Sequence, residues 1–224
     1  MCIDPLAEKY TYNSPYAFAE NRVIDGRELE GLEWVDSHKN KNLVYDPSAN
    51  NGKGDFTQYA TSDHRNMAKS LNGTEAGRAQ FGKLVNSDVP TTATLDKENS
   101  PVDPDTGGLI LGLTEPVLSK NGNVKQDKDK AGNVVGWRPE GFTITLFEKN
   151  IDSATKDVKS GAGEVYGKEV PKGTTFSQII GITFGHEIGH ANPKDLMYGA
   201  KNPSKAEVPA TNISNQIIDE LNKK

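Results

Sequence analysis

The chain has 224 residues, enough for one sizeable domain, and its apolar share of 34%, mean hydropathy of −0.66, 22 glycines and 12 prolines describe a loop-rich α+β protein with a modest core. A net charge of −5, with acids and bases interspersed, excludes the basic stripe of a nucleic-acid binder and the polybasic patch of a membrane-surface protein. No apolar run long enough to span a bilayer and no signal-peptide pattern is present, so export would have to be arranged by another element. The single Cys2 allows neither an internal disulfide nor a cysteine-rich metal site, which leaves His, Asp and Glu to hold any metal.

Residues 1–35 differ from the rest. Tyr10, Tyr12, Tyr16 and Phe18 crowd around Pro5 and Pro15, and Val23-Ile24-Asp25-Gly26 predicts a short strand entering a turn. Residues 36–55 read as a polar linker around Asn50-Asn51-Gly52-Lys53-Gly54, and residues 56–224 as the main domain. Ala76, Ala79, Phe81, Leu84 and Val85 predict a helix from Thr74 to Asn86. Short strands are expected over Pro90–Leu95, Leu109–Leu113, Val117–Val124, Val134–Trp137 and Phe142–Phe147, with Asn121-Gly122 a turn. Asp127-Lys128-Asp129-Lys130-Ala131-Gly132 imitates a calcium loop, but Ala131 and Arg138 occupy ligand positions, so a hairpin turn is the better reading. A last helix is expected over Ala210–Asn222, where Ile213, Ile217, Ile218 and Leu221 share a face.

The stretch before that last helix carries the chemistry. Thr175 and Gln178 are spaced as a capping box, and Phe176, Ile179, Ile180, Thr183, Phe184, Glu187 and Ile188 keep one helical face against a core, with Pro193 marking the end. On this helix His186-Glu187-Ile188-Gly189-His190 is an HExxH motif. Histidines four apart lie one turn from each other on one face, so both imidazoles can reach a single Zn²⁺, and Glu187 sits beside the metal-bound water as its base. The bland alternative is a surface helix with two solvated histidines; Gly185 and Gly189 weigh against it, since such residues serve close packing or close ligand approach. A hydrolytic site needs a third protein ligand, and the carboxylates downstream are Asp195, Glu207, Asp219 and Glu220. Glu207 also reads as the cap partner of Ser204 in an S-x-x-E box. For an oxyanion donor, Tyr198 is nearest in sequence and Tyr166 the other choice, although the commoner role for either is that of a packed tyrosine; His38 and His64 lie in polar chain and read as solvated, with substrate orientation as their alternative role.

Two resemblances extend this reading. Asp4-Pro5-Leu6-Ala7-Glu8-Lys9-Tyr10 and Ser14-Pro15-Tyr16-Ala17-Phe18-Ala19-Glu20-Asn21-Arg22-Val23-Ile24-Asp25-Gly26 resemble the closing end of the RHS repeat-associated core. That resemblance implies a bacterial polymorphic toxin delivered with an RHS shell or secretion apparatus, made in the cytoplasm alongside a cognate immunity protein. Gly185-His186-Glu187-Ile188-Gly189-His190-Ala191, followed by the segment from Glu207 to Asn215, is similar to toxin-type HExxH peptidases related to effector zinc proteases. It implies a zincin-like α+β domain, a small twisted sheet on an active-site helix, whose metal site Glu207 completes in the gluzincin manner. The segment departs from that pattern at Ser214, where a second glutamate is expected, and at Pro209, inside a predicted helix. Asp195-Leu196-Met197-Tyr198-Gly199 resembles an aspzincin element, making Asp195 the second choice as ligand, but at the wrong spacing. The expectation is a secreted zinc metallopeptidase acting on a protein of a target cell; the alternative is a non-catalytic binding module with structural zinc.

Overall fold

In the computed structural model, which describes residues 34–37, 41–161 and 163–223, the chain runs β1 (Trp34–Val35), β2 (Tyr45–Asp46), α1 (Ala49–Gly52), β3 (Asp55–Phe56), α2 (Ser62–Leu71), α3 (Glu75–Val85), β4 (Thr91–Asp96), β5 (Gly112–Val117), β6 (Lys125–Lys128), β7 (Val134–Arg138) and β8 (Gly141–Phe147). It continues through α4 (Glu148–Ser160), β9 (Glu164–Val165), β10 (Lys168–Glu169), α5 (Phe176–His190), α6 (Pro193–Lys201) and α7 (Val208–Leu221). This is the α+β class that the composition indicates. The aromatic stretch before residue 34, and His38, lie outside the described residues. Among these helices none is long and apolar enough to cross a membrane.

The main sheet has the order β1-β4-β8-β5; β1, β4 and β8 are parallel and β5 runs antiparallel along β8. Strand alternation sorts its residues by face. Phe142, Ile144 and Leu146 point to the side where the helices pack and are buried, whereas Thr143 and Thr145 point to the other and are half-exposed. Val134–Trp137 and Phe142–Phe147 form strands as their residues suggest. Leu109–Leu113 does not: the strand begins at Gly112, because Leu109 bridges back to Val102 and closes a loop instead. Val117–Val124 is the end of β5 and a tight turn closed between Ser119 and Gly122, leaving no second strand there.

The expected linker is packed chain. Trp34 and Val44 are fully buried, Trp34 and Val35 pair with Thr91 and Thr92, and Tyr45 pairs with Phe56 across a turn in which Asn50 and Asn51 take left-handed backbone (φ 53° and 58°). The glycine- and asparagine-rich stretch supplies a turn with unusual backbone, and the apolar residues around it join the core. Packing therefore begins upstream of residue 36.

Helix α5 is the central helix among the described residues. Thr175 caps it and Gln178 returns the bond to the Thr175 N–H, completing the box. One face was expected to be buried; in fact every residue from Ile179 to Gly189 is, because α2, α3, α4, α7 and the sheet surround it. Its glycines make that possible. A Cβ on Gly181 would stand 2.6 Å from the Ser70 carbonyl oxygen, one on Gly185 2.4 Å from Ile217 Cδ1, and one on Gly189 2.8 Å from Ile213 Cδ1. Three glycines at four-residue spacing thus let α2 and α7 lie against α5. Pro193 follows the end of α5, as expected, but it opens α6, with Asn192 as N-cap accepting from the Asp195 N–H.

Candidate metal centre

The last turn of α5 carries His186 and His190 on one face, and α7 brings Glu207 to them. Glu207 stands at the N-cap of α7, yet its carboxylate makes no capping bond; Oε2 lies 3.2 Å from His186 Nε2 and 3.3 Å from His190 Nε2, and the two nitrogens are 3.3 Å apart. Pro209, unexpected in a helix, sits in the first turn of α7, where no N–H is needed. The three ligand atoms therefore form a nearly equilateral triangle. Ligands arranged tetrahedrally at about 2.0–2.1 Å from an ion stand about 3.3–3.4 Å apart, so this triangle has the size of one face of such a site. His186, His190 and Glu207 could hold a metal ion.

The same groups perturb one another's ionisation. Burial opposes a charge on His190, but the bonds to Asp195 and Glu207 outweigh it and push the imidazole up to about 10. Hydrogen bonds from His186 and His190 hold the Glu207 carboxyl well below its ordinary range. Asp195, the second choice as ligand, is not a member of the triangle: its Oδ2 accepts from His190 Nδ1 at 2.8 Å, which leaves Nε2 free to face the other two ligand atoms. His186 is positioned otherwise. Its Nδ1 is buried with no hydrogen-bond partner among the described residues, and its ring lies flat against Tyr166, with centroids 3.7 Å apart and planes 5° from parallel.

Glu187 lies beside the cluster without joining it. Thr114 Oγ1 donates to its Oε2 at 2.7 Å, and the Tyr166 hydroxyl donates to its Oε1 at 3.3 Å. Burial raises the Glu187 carboxyl above its usual value against the lowering effects of His186, Thr114 and His190. Burial, then the Glu187 charge, keeps the Tyr166 hydroxyl protonated well above its ordinary value. Gly112 is the close neighbour on β5: a Cβ there would stand 2.7 Å from Glu187 Cγ, so only glycine lets the strand approach this carboxylate. The ligands and Glu187 line a cleft of about 530 Å³, walled by Leu109, Leu113, Leu196 and Ala206.

No family model, no curated protein and no solved structure matches this chain.

His186 and His190 come together as their spacing suggests, Glu207 meets them as the resemblance implies, and Glu187 lies beside them. Tyr198 does not join them; it lines a separate cavity of about 930 Å³ with Asp195, Ile188 and Ile213. Tyr166, the second choice, is the tyrosine that reaches Glu187. It is the first residue of the two-residue turn between β9 and β10, with φ 52°, followed by Gly167 at φ 72°, a left-handed pair that fits the twist of a hairpin. A tyrosine in that conformation costs roughly 1–2 kcal/mol, which the stacking and the Glu187 bond help to offset. A residue followed by glycine between short β-prone runs was the signal for this hairpin. Thr114 had no local signal. His64, read as solvated, is buried: it completes a capping box with Thr61, accepting from the Thr61 N–H at Nδ1, and its Nε2 lies 3.1 Å from the Ala93 carbonyl oxygen.

Proposed function

We propose that this protein is a zinc-dependent metallopeptidase with a zincin-like centre, in which His186, His190 and Glu207 hold the ion and Glu187 is the general base. The observation that carries it is the triangle of ligand atoms, open to a cleft, with a separate buried carboxylate beside it. A structural site would be closed by a fourth protein ligand; a fourth position facing a cavity is the catalytic arrangement, which weighs against the binding-module reading. Zinc held there would supply a Lewis acid and a water acidified toward neutrality.

The chain's own residues account for the rest. Glu187, raised by burial, takes a proton from the attacking water and returns it to the leaving amine. Thr114 and Tyr166 fix its carboxylate from two sides, and Tyr166, still protonated, can turn its hydroxyl toward the developing oxyanion. A polypeptide substrate is favoured by β5, the last strand of its sheet among the described residues. The Leu111 carbonyl accepts from Phe147 N–H and the Val117 carbonyl from Glu140 N–H, so odd-numbered residues bond inward. Gly112, Thr114 and Pro116 then present their backbone groups outward, where an extended chain can pair. Pro116, lacking an N–H, stands at an outward position that the sheet tolerates.

The resemblance of residues 4–26 to the RHS core supports delivery as a secreted toxin, with a cognate immunity protein in the producer. The deciding experiment compares wild type with Glu187→Gln. Both should retain about one zinc per chain after dialysis, and cleavage of an unstructured protein such as casein should fall by roughly 10²–10⁴ in the variant. Equal cleavage by both would refute the assignment.

A further inference from the structure

Five of the seven exposed large hydrophobic side chains among the described residues, Val102, Leu109, Leu113, Val117 and Leu118, fall within residues 102–118, on β5 and the chain flanking it. Scattered exposed leucines need no explanation, but a cluster beside a cleft marks a surface that something covers. Leu109 also lines the cleft that holds His186, His190 and Glu207, so the patch begins at its rim. Along β5 the faces alternate: Gly112, Thr114 and Pro116 are half-buried, with Thr114 turned to Glu187, while Leu113, Glu115 and Val117 are exposed on the opposite face. Glu115 is the only charged residue of the strand.

We infer that β5 selects its substrate by a side-chain code, aliphatic, basic, aliphatic at alternate positions, written by Leu113, Glu115 and Val117. This rests on the reading that the cleft acts on polypeptides. A chain paired to the outer edge of β5 puts every second side chain on the face of these three, about 4.5–5.5 Å away, where apolar pairs and opposite charges attract and like charges repel. The order of the three residues makes the code the same for either direction of the incoming chain. The intervening substrate side chains turn toward the cleft floor and the metal ligands, so the code positions the scissile bond without occupying the reacting centre. The occupant is an extended polypeptide because the apolar residues are spaced two apart on a strand whose outer edge pairs with no other strand among the described residues, the period of a strand partner.

The test uses the full chain carrying Glu187→Gln, loaded with zinc, and fluorescein-labelled eleven-residue peptides of serine and threonine whose central alternate positions are Leu, Lys and Val. Fluorescence anisotropy should show these binding roughly tenfold more tightly than peptides with Glu in place of Lys, or with the Leu and Val moved one position out of phase. Adding Glu115→Lys should reverse the preference at the central position, and Leu113→Ser should weaken the in-phase peptide. An unchanged charge preference in Glu115→Lys, equal binding of in-phase and out-of-phase peptides, or no binding of any peptide overturns the inference. Concentration-dependent self-association abolished by Leu113→Ser would also overturn it, by assigning the patch to a second copy of this chain. These outcomes are separate from casein cleavage by the wild type, which decides the peptidase reading on its own.

Discussion

Replacing Gly181 and Gly82 with alanine, one at a time, makes the same chemical change in two helix interiors with opposite surroundings. A Cβ on Gly181 of α5 would stand 2.6 Å from the Ser70 carbonyl oxygen and 2.9 Å from its carbon, backbone atoms that cannot turn aside; a Cβ on Gly82 of α3 meets nothing within 4 Å. Alanine in place of glycine favours each helix by about 1 kcal/mol, partly through a less free unfolded chain, and that contribution is common to both variants. At Gly82 it is unopposed. At Gly181 α2 must move away from α5, and such overpacking costs about 1–3 kcal/mol, for a net loss of about 1 kcal/mol. The two variants should therefore differ by about 2 kcal/mol, with melting temperatures moving in opposite directions by roughly 2–4 °C per kcal/mol for a unit of this size. Urea unfolding in the presence of a chelator isolates the packing effect, since a bound ion would add its own stabilisation. Equal shifts, or a more stable Gly181→Ala, would refute the argument that glycine is there to let α2 approach.

On the proposed assignment, removing Glu207 should weaken zinc binding far more than removing Asp195, because Glu207 Oε2 faces both histidine Nε2 atoms and Asp195 acts only through His190; chelator competition should give roughly 10–100-fold for Asp195→Ala and a larger loss for Glu207→Ala. The Glu207 side chain is 72% exposed, so its loss leaves the fold intact, and full zinc retention in that variant would sink the assignment. His64 should make the fold acid-sensitive. Burial lowers its folded value below the ordinary 6.5, so the unfolded chain binds the proton more readily, and stability present above pH 6.5 is lost as pH falls below it. Urea midpoints between pH 7.5 and 5 should fall less steeply in His64→Gln, which keeps a capping-box side chain with no proton to gain. Trp34→Ala should cost about 3–5 kcal/mol, as for a fully buried aromatic, and a chain trimmed to begin at Asp36 should be destabilised at least as much; an unaffected midpoint in either would place β1 outside the cooperative unit.

The sequence by itself determined what is local. Thr175 with Gln178 fixes where α5 begins, the four-residue step puts His186 and His190 on one face, and Gly122 marks its turn, because each depends on bonds made within a few residues. The stripe of His64, Met67, Ala68 and Leu71 in α2 was equally local but was masked by the polar residues between them. What only the tertiary structure decided is which distant groups meet. Thr114 reaches Glu187 from 73 residues away because β5 closes the sheet beside α5, and no residue near Thr114 records that. Whether Glu207 caps a helix or meets the histidines turned on whether α7 packs close enough to α5 for its carboxylate to reach two imidazoles, which the glycines of α5 permit. Tyr166 rather than Tyr198 stands at the site for the same reason: proximity in sequence to the motif is set by the chain, whereas proximity in space is set by how strands and helices without local preference for one another share a common core.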